Sequence, residues 1–421
     1  MLLRFQASNH RSILNPVELS LIAVDTDRGA ARSFDRLSEQ VLTVAGIYGP
    51  NASGKSNVLD ALSWLSAAVA TSLLGWDEGI PRDAHRFGKG PRTPSAFDLD
   101  LVVDGVRFSY QLELDDSAVL YESLYSYPER RRRTLFERSE NEIEFRRGLE
   151  GASGIRRLLT PTTLAISAGM RLGDTQLSDA GRAIARTSVL GLRPPQGSRH
   201  LLPRAGLPYT TRRLFLEDLG SIHERVLDLP ERRIAALNLL RMADPEIDDV
   251  QVYEMTEQFS ERSRRELRFI RSADDEFVPL DFEEESAGTQ TWFHLLGPAL
   301  GVLAAGTILL IDEIDASLHP RLSAQFLGLF QDPQTNPRGA QLIFASHDTS
   351  LLNVLNRDEV WLTEKEPGVA TRLVALAEFG GERVRKSVNL ERAYLQGRFG
   401  AVPEVDQTDM RRAVRHVLNY S

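Results

Sequence analysis

The stretch that decides the fold is residues 41–56, VLTVAGIYGPNASGKS. Its apolar run Val41–Ile47 predicts a buried strand, and Gly49–Ser56 fits the pattern G-x-x-x-x-G-K-[ST]. A helical pattern follows at once in NVLDALSWLSAAVATSLL. A strand, a glycine loop and a helix in this order form the unit that cradles phosphate groups. The stretch therefore predicts an α/β fold with a phosphate-binding loop.

Each residue type in this loop contributes to holding phosphate. Glycines let backbone N–H groups turn inward, and the start of the helix adds positive potential. The Lys55 side chain reaches the β- and γ-phosphate oxygens, while the Ser56 hydroxyl can ligate Mg²⁺. ATP with Mg²⁺ is therefore the expected ligand. The predicted binding residues are Gly49, Pro50, Asn51, Ala52, Ser53, Gly54, Lys55, Ser56 and Asn57.

A second hydrophobic strand, Ile308–Ile311, ends in the two carboxylates Asp312 and Glu313. Beside a phosphate loop, Asp312 is expected to hold Mg²⁺ and Glu313 to polarise the attacking water. An acidic pair after a strand is otherwise a solvated turn. The presence of the phosphate loop favours the catalytic interpretation.

Two more elements complete the candidate site. In ESAGT, Ser286 and Gly288 precede a long helix, whose N-terminus can bind an anion, although serine is also an ordinary helix cap. His347 follows the apolar strand Leu342–Ala345 and can contact a γ-phosphate, although a histidine there can also be structural. We predict a catalytic role for His347 and nucleotide contacts for Ser286 and Gly288.

The rest of the chain divides by its pattern into three parts. Residues 96–127 alternate apolar and polar positions on both sides of Asp104-Gly105, which predicts a hairpin in an antiparallel lobe. Residues 150–245 are helical but broken by prolines, which excludes a long coiled coil. We predict a phosphate-loop lobe with a β-meander over 1–149, a helical insertion over 150–250, and a lobe over 251–421 that completes the same head.

Composition limits the function. The chain has 421 residues, a formal charge of −9 and no cysteine, which excludes disulfides, thiolate metal sites and cysteine catalysis. The acidic balance disfavours a broad nucleic-acid surface, although contact through the basic run Arg130–Arg133 stays open. The start MLLRFQASNH has no signal-peptide pattern, so we expect a cytoplasmic protein. Residues 292–311 lack formal charge, but their glycines and Pro298 predict a buried helix, a turn and a strand, and hence no membrane association.

The order of the four site elements resembles the ABC-type ATPase head shared by transporters, SMC-like proteins and RecF. The sequence departs from LSGGQ in reading ESAGT, and the ending LHP at 318–320 is similar to SMC-like and bacterial AAA-15/AAA-21 ATPases. LLIDEIDASLHPRL and the tail YLQGRFGAVP look like the AbiLi/RloA type of ATP-binding protein. The fold implied is an ABC-type ATPase head, a mixed sheet with an antiparallel β-lobe, plus the helical insertion.

This resemblance also implies a function. Such a protein hydrolyses ATP, forms a homodimer around it, and controls a co-encoded toxin-like or nuclease-like effector in antiphage defence. The alternative is a RecF- or SMC-like DNA-repair ATPase. A self-contained nuclease would need a further metal-binding domain, for which the residues after His347 leave little room. A scaffold that binds ATP without hydrolysis is disfavoured by the presence of Lys55, Asp312 and Glu313.

Overall fold

The computed structural model describes residues 1–26, 28–76, 79–149, 151–172, 175–192, 210–216, 229–256, 263–273, 276–366, 370–379, 389–400, 411–412 and 414–415. Its helices are α1 (Lys55–Gly75), α2 (Ala152–Leu158), α3 (Ala165–Leu172), α4 (Thr175–Ala185), α5 (Thr211–Leu216), α6 (Leu229–Ala243), α7 (Ala287–Ala305), α8 (Pro320–Gln331) and α9 (Leu390–Leu395). The strands up to residue 145 are β1 (Leu2–Ser8), β2 (Val17–Ser20), β3 (Ala31–Arg32), β4 (Val41–Leu42), β5 (Val44–Tyr48), β6 (Ser95–Val103), β7 (Val106–Leu114), β8 (Val119–Tyr127), β9 (Arg133–Ser139) and β10 (Glu142–Phe145). The later strands are β11 (Ser188–Leu190), β12 (Ile247–Thr256), β13 (Ser263–Ala273), β14 (Glu276–Asp281), β15 (Ile308–Ile311), β16 (Gln341–Ala345), β17 (Val360–Lys365) and β18 (Thr371–Ala375).

The antiparallel lobe is a seven-stranded sheet in the order β10-β9-β8-β7-β6-β1-β2. Its predicted hairpin is β6 and β7, which pair antiparallel from Ser95 opposite Leu114 to Val103 opposite Val106. Asp104 and Gly105 form the turn with φ angles of 48° and 75°. Positive φ at both central residues is the geometry that Asp-Gly favours. The hairpin prediction is confirmed.

The sheet that carries the predicted phosphate loop has six strands in the order β11-β15-β16-β5-β17-β18. All neighbouring pairs are parallel except β17 and β18. The prediction of a single strand over Val41–Ile47 is wrong, because the structure has two strands there. Val41 and Leu42 form β4, which pairs with β3, and only Val44–Tyr48 belongs to the six-stranded sheet. The Thr43 hydroxyl and N–H both donate to the Ala30 carbonyl, so the chain is held at this point between the two sheets.

Alternating side chains place this sheet between two apolar cores. On β16, Ile343 and Ala345 belong to the core shared with α1 and the antiparallel lobe. Leu342 and Phe344 face a second core with α7 and α8. Successive strand residues point to opposite faces, so a buried central strand needs apolar residues at every position. This double burial holds the carboxyl ends of the strands in place.

The three-part division of the chain stays a prediction, and the structure adds detail to its middle part. Helices α3 and α4 pack against α1 in the first core, whereas α5 and α6 pack against α7 in the second. Between them, β11 extends the six-stranded sheet beside β15. Residue 250 lies inside β12, which pairs with β13 and β14 in a three-stranded antiparallel sheet.

The uncharged stretch 292–311 has the structure expected from its sequence. Helix α7 ends at Ala305, Gly306 has the left-handed φ of 67°, and β15 begins at Ile308. Within the described part of the chain, α1 alone is long and apolar enough to cross a membrane by length and composition, and most of it is buried in the protein. Its apolar residues form core contacts, which explains its composition.

Candidate functional site

Three neighbouring parallel strands carry the predicted site residues at their carboxyl ends. Strand β16 lies between β15 and β5, and the phosphate loop follows β5. Asp312-Glu313 follows β15, and His347 lies two residues beyond β16. In parallel sheets, ligands bind at this edge because the strand ends and the loops after them converge there.

One cavity of about 470 Å³ joins these segments. Its lining contains most of the predicted nucleotide and metal residues together with both predicted catalytic side chains. The lining residues are Asn51, Ala52, Gly54, Lys55, Ser56, Asn57, Asp312, Glu313 and His347. The structure therefore brings three separate sequence motifs to a single space.

Lys55 lies at the base of this cavity, with 6% of its surface exposed. Its ammonium group donates to the carbonyl oxygens of Gly49 at 2.8 Å and Pro50 at 3.2 Å. Burial lowers the pKa of Lys55, and the carboxylate of Asp312 acts in the opposite direction. The two carbonyl contacts hold the ammonium over the loop, where phosphate oxygens can replace them.

The glycines of the loop are required by close packing as well as by backbone conformation. Gly54 has a φ of 108°, and a Cβ there would lie 2.0 Å from the Thr371 hydroxyl oxygen. Gly49 has a φ of 149°, and its Cβ would lie 2.5 Å from the Thr363 carbonyl oxygen. Both threonines come from the β17–β18 hairpin, so this hairpin presses directly on the loop. An L-residue side chain fits at neither position.

Hydroxyl groups connect the loop to its surroundings. Ser53 Oγ lies 2.6 Å from Thr363 Oγ1, and Thr371 Oγ1 donates to the Ser53 carbonyl at 2.9 Å. Thr371 Oγ1 also lies 2.7 Å from Ser12 Oγ, which accepts from Asn57 Nδ2. Ser53 thus supports the loop from behind, and it is not among the residues that line the cavity.

Asp312 and Ser56 are the predicted metal ligands, and both line the cavity. Ser56 lies close enough to Asp312 to lower the pKa of its carboxyl group, and Asp312 Oδ1 is buried with no hydrogen-bond partner. Burial raises the pKa of Asp312, and the neighbouring Glu313 adds to this, while Ser56 and Lys55 lower it. A buried carboxylate oxygen without a partner is costly unless a cation or donor satisfies it. Hydroxyl and carboxylate oxygens are the ligands that Mg²⁺ prefers, so the pair fits that ion.

Glu313 and His347 are both exposed on the open side of the cavity. Glu313 has a φ of 54°, a conformation that costs free energy for a residue with a side chain and that clusters at functional sites. His347 is positioned by Asp315, whose Oδ1 accepts from the His347 N–H at 3.2 Å and from Ser346 Oγ at 2.6 Å. Asp315 therefore links the loop after β15 to the loop after β16.

Ser286 and Gly288 lie apart from this cavity, at the start of α7. The Ser286 hydroxyl accepts from the Thr289 N–H at 3.1 Å, so it caps its own helix. A Cβ on Gly288 would lie 3.1 Å from the Ser317 carbonyl oxygen, which places the helix start beside the loop after Glu313. Neither residue lines the cavity of the same chain.

Sequence reasoning did not identify four contributors to the site: Ser12, Asp315, Thr363 and Thr371. Asp315 stands in the quoted motif IDEIDASLHP, so its position two residues after Glu313 was an available signal. The two threonines lie in an ordinary strand pattern. Their contact with the loop depends on the order of strands in the sheet. His319, in the same motif, caps α8 by accepting from the Arg321 N–H.

A family model and several solved structures are similar to this chain. Residues 44–353 match the model of the AAA-21 family, described as "AAA domain, putative AbiEii toxin, Type IV TA system". An SMC head bound to the C-winged helix domain of ScpA is similar at 13% identity and a TM-score of 0.44, over 89% of this chain and 97% of that one. The SMC head domain from Thermotoga maritima is similar at 13% identity and a TM-score of 0.37, over 89% and 98%. No curated protein matches the chain.

Proposed function

The chain belongs to the AAA-21 family, whose model spans most of its length, and on that premise we propose that it binds and hydrolyses ATP to control a separate effector. The resemblance to AAA-21 ATPases predicted from the sequence is thereby confirmed. The observation that carries the proposal is the single cavity shared by Lys55, Asp312 and Glu313. Phosphate binding, a metal site and a free carboxylate are the parts that hydrolysis of a phosphoanhydride needs.

Each group has a distinct part in the proposed reaction. The Lys55 ammonium and the N–H groups at the start of α1 bind the phosphates, while Ser56 and Asp312 would hold Mg²⁺. When bound, Mg²⁺ neutralises charge on the phosphate oxygens. The exposed Glu313 carboxylate orients the attacking water and accepts its proton, and His347 donates a hydrogen bond to the terminal phosphate.

Two substitutions separate binding from hydrolysis. Glu313→Gln is expected to keep ATP affinity and slow phosphate release by about 10²–10³-fold, because an electrostatic contact to the transition state is lost. Lys55→Ala is expected to lose both. ATP affinity by calorimetry and phosphate release measure the two steps, with Glu142→Gln and Lys89→Ala as exposed controls. Unchanged turnover in Glu313→Gln would exclude this role for the carboxylate.

The proposed dimer follows from the position of Ser286. This exposed helix start lies outside the cavity of its own chain, so we propose that it contacts the nucleotide held by a second copy. ATP is then expected to double the mass of Glu313→Gln in light scattering. Adding Ser286→Arg should block this by filling the space at the helix start. A mass that does not respond to ATP contradicts nucleotide-driven closure.

The effector and the antiphage role rest on the family resemblance. The family description names a toxin of a toxin–antitoxin system, which supports pairing with a co-encoded protein. We expect the ATPase alone to be harmless in cells and restriction of phage to need the neighbouring gene product and Lys55. Expression of each alone, of both, and of the pair with Lys55→Ala tests this. Restriction by the ATPase alone would contradict the two-component proposal. The cytoplasmic location stays a prediction.

The alternative DNA-repair role would use the basic turn Arg130–Arg133, in which two of the four arginines pair with acidic side chains. Arg132 lies 3.8 Å above the Tyr125 ring and pairs with Glu137 at 3.2 Å. Arg133 pairs with Glu129 at 3.6 Å. These contacts favour a solvated turn at Arg132 and Arg133, because an acidic neighbour offsets the positive charge that would attract phosphate.

A further inference from the structure

A second cavity, of about 280 Å³, adjoins the phosphate site; we name it the side cavity. Arg11, Ser12, His85, Phe87 and Lys365 are among its lining residues. Ser12 Oγ accepts a hydrogen bond of 2.5 Å from Asn57 Nδ2, and Asn57 lines the phosphate cavity. One hydrogen bond therefore separates the two spaces.

The side cavity lies on the side of the phosphate site that a nucleoside must occupy. In a loop of this pattern, the lysine reaches the β- and γ-phosphates, and the loop N–H groups cradle the α- and β-phosphates. The water-orienting Glu313 and His347 must lie near the terminal phosphate. The nucleoside attached to the α-phosphate then extends past the first turn of α1, where Asn57 contacts Ser12.

Ion pairs and backbone contacts hold the walls of the side cavity. Arg11 pairs with Asp60 of α1 at 3.0 Å and with Asp83 at 3.0 Å. The His85 N–H donates to Asn9 Oδ1 at 3.1 Å. The walls of the side cavity thus contact α1, the helix that follows the phosphate loop. These contacts hold the side cavity in a fixed position relative to the phosphate cavity.

His85 presents an unused acceptor in this wall. The residue is 2% exposed, and its Nδ1 lies 2.8 Å from the Arg11 carbonyl oxygen. A carbonyl oxygen only accepts, so Nδ1 carries the proton and Nε2 of the neutral ring is an acceptor. This buried Nε2 has no hydrogen-bond partner in the structure. A buried polar atom without a partner requires an explanation, and a ligand with a donor group provides one.

Phe87 supplies a flat apolar surface at the mouth of the side cavity. The residue is 59% exposed, and its ring centroid lies 5.7 Å from that of His85 at an angle of 59°. Exposed aromatic rings beside basic groups are suited to stacking with a nucleobase. A ligand that stacks on Phe87 and donates to His85 must be an aromatic ring with an N–H group.

We propose that the side cavity binds the base of the nucleotide, with His85 Nε2 accepting from the 6-amino group of adenine and Phe87 stacking on the ring. This inference rests on the proposed ATP site and specifies which nucleotide it selects. His85 is then a specificity-determining residue. Its preference depends on the proton held at Nδ1 by the Arg11 carbonyl.

Binding of diphosphates tests this without hydrolysis. ADP, purine riboside diphosphate, which lacks only the 6-amino group, and 2′-deoxyADP are compared by calorimetry with Mg²⁺ at pH 8. Removing the amino group is expected to weaken binding about three- to tenfold, the size of one net hydrogen bond. His85→Phe should abolish this difference. Phe87→Ala should weaken binding of ADP and purine riboside diphosphate about tenfold each, whereas Phe277→Ala, another exposed phenylalanine, should change neither.

The comparison of ligands on the unmodified chain decides the proposal even if His85→Phe fails to fold. Equal affinity for ADP and purine riboside diphosphate overturns it. A loss confined to 2′-deoxyADP also overturns it, because His85 would then accept from the ribose. Failure of the proposed ATP site looks different, since ADP would not bind or Lys55→Ala would leave its affinity unchanged.

Discussion

The starts of helices α1 and α7 are the two anion sites predicted from the sequence, and their first turns are satisfied in different ways. At α1, Gly54 offers no side chain to cap the free N–H groups. At α7, the Ser286 hydroxyl accepts from the Thr289 N–H. A helix leaves its first N–H groups without partners inside the helix. In α1 the Asn57 N–H donates to the Gly54 carbonyl and no side chain caps the turn, whereas in α7 the equivalent Thr289 N–H is capped by the Ser286 hydroxyl.

The two helix starts also differ in how far the surrounding structure encloses them. The start of α1 is enclosed by the β17–β18 hairpin through Ser53 and Thr371. The start of α7 is exposed and held from below by buried Glu285, whose carboxylate accepts from Arg271 at 2.7 Å and 3.0 Å. The chain thus encloses the start of α1, where we propose that phosphate binds. At α7 it presents a preformed helix end outward, which is the arrangement that the proposed dimer needs.

The largest effect is expected from closing the space at the start of α1. Gly54→Ala places a methyl group 2.0 Å from Thr371 Oγ1 at a φ of 108°, so we expect ADP affinity to fall by about 100-fold or more. Calorimetry measures this. Gly105→Ala is the control, because Gly105 has a φ of 75° and open space around its Cβ position. Retained affinity in Gly54→Ala would show that the close packing is not needed for binding.

A smaller effect is expected at Asp312, beside the start of α1. Burial raises the pKa of Asp312, so the folded chain binds a proton on this carboxyl group more tightly than the unfolded chain does. The free energy of unfolding therefore falls as the pH rises from the unfolded-state pKa of Asp312 through its higher folded-state pKa. Asp312→Asn should stabilise the nucleotide-free protein by about 1 kcal/mol at pH 7 and lose the Mg²⁺ dependence of ADP binding.

Urea unfolding at pH 5 and pH 7 measures the Asp312 effect. Asp179→Asn, an exposed aspartate with 44% of its side chain accessible, is the control and should change the free energy of unfolding little at either pH. Lower stability of Asp312→Asn at pH 7 would contradict the cost assigned to the unpartnered carboxylate oxygen.

The smallest effect is expected at the start of α7. Ser286→Ala removes the cap and should lower the free energy of unfolding by about 0.5–1 kcal/mol, because an exposed cap contributes modestly. Ser286→Asn, which can still cap, should restore the loss. ADP affinity of the single chain should stay within about twofold of the unmodified protein, since Ser286 lies outside the cavity. A large loss of ADP affinity would mean that the two helix starts are not independent.

The separation of the two helix starts also shows what could be predicted from sequence. The pattern Gly49–Ser56 predicted the strand, loop and helix around α1, because glycine conformation and the phosphate-binding chemistry are local properties. The prediction of a single strand over Val41–Ile47 was wrong in its first part, because Val41 and Leu42 pair with β3 and not with the six-stranded sheet. An apolar run predicts burial without saying which sheet provides it.

The sequence by itself determined the elements whose cause lies within a few residues: the phosphate loop, the Asp-Gly hairpin and the strand that ends in Asp312. Only the tertiary structure decided which distant segments meet them. Thr371 lies against Gly54, and His85 lines the space beside Ser12. The physical reason is that sequence periodicity reports local conformation and burial, whereas contacts between distant residues depend on the order in which strands join the sheet.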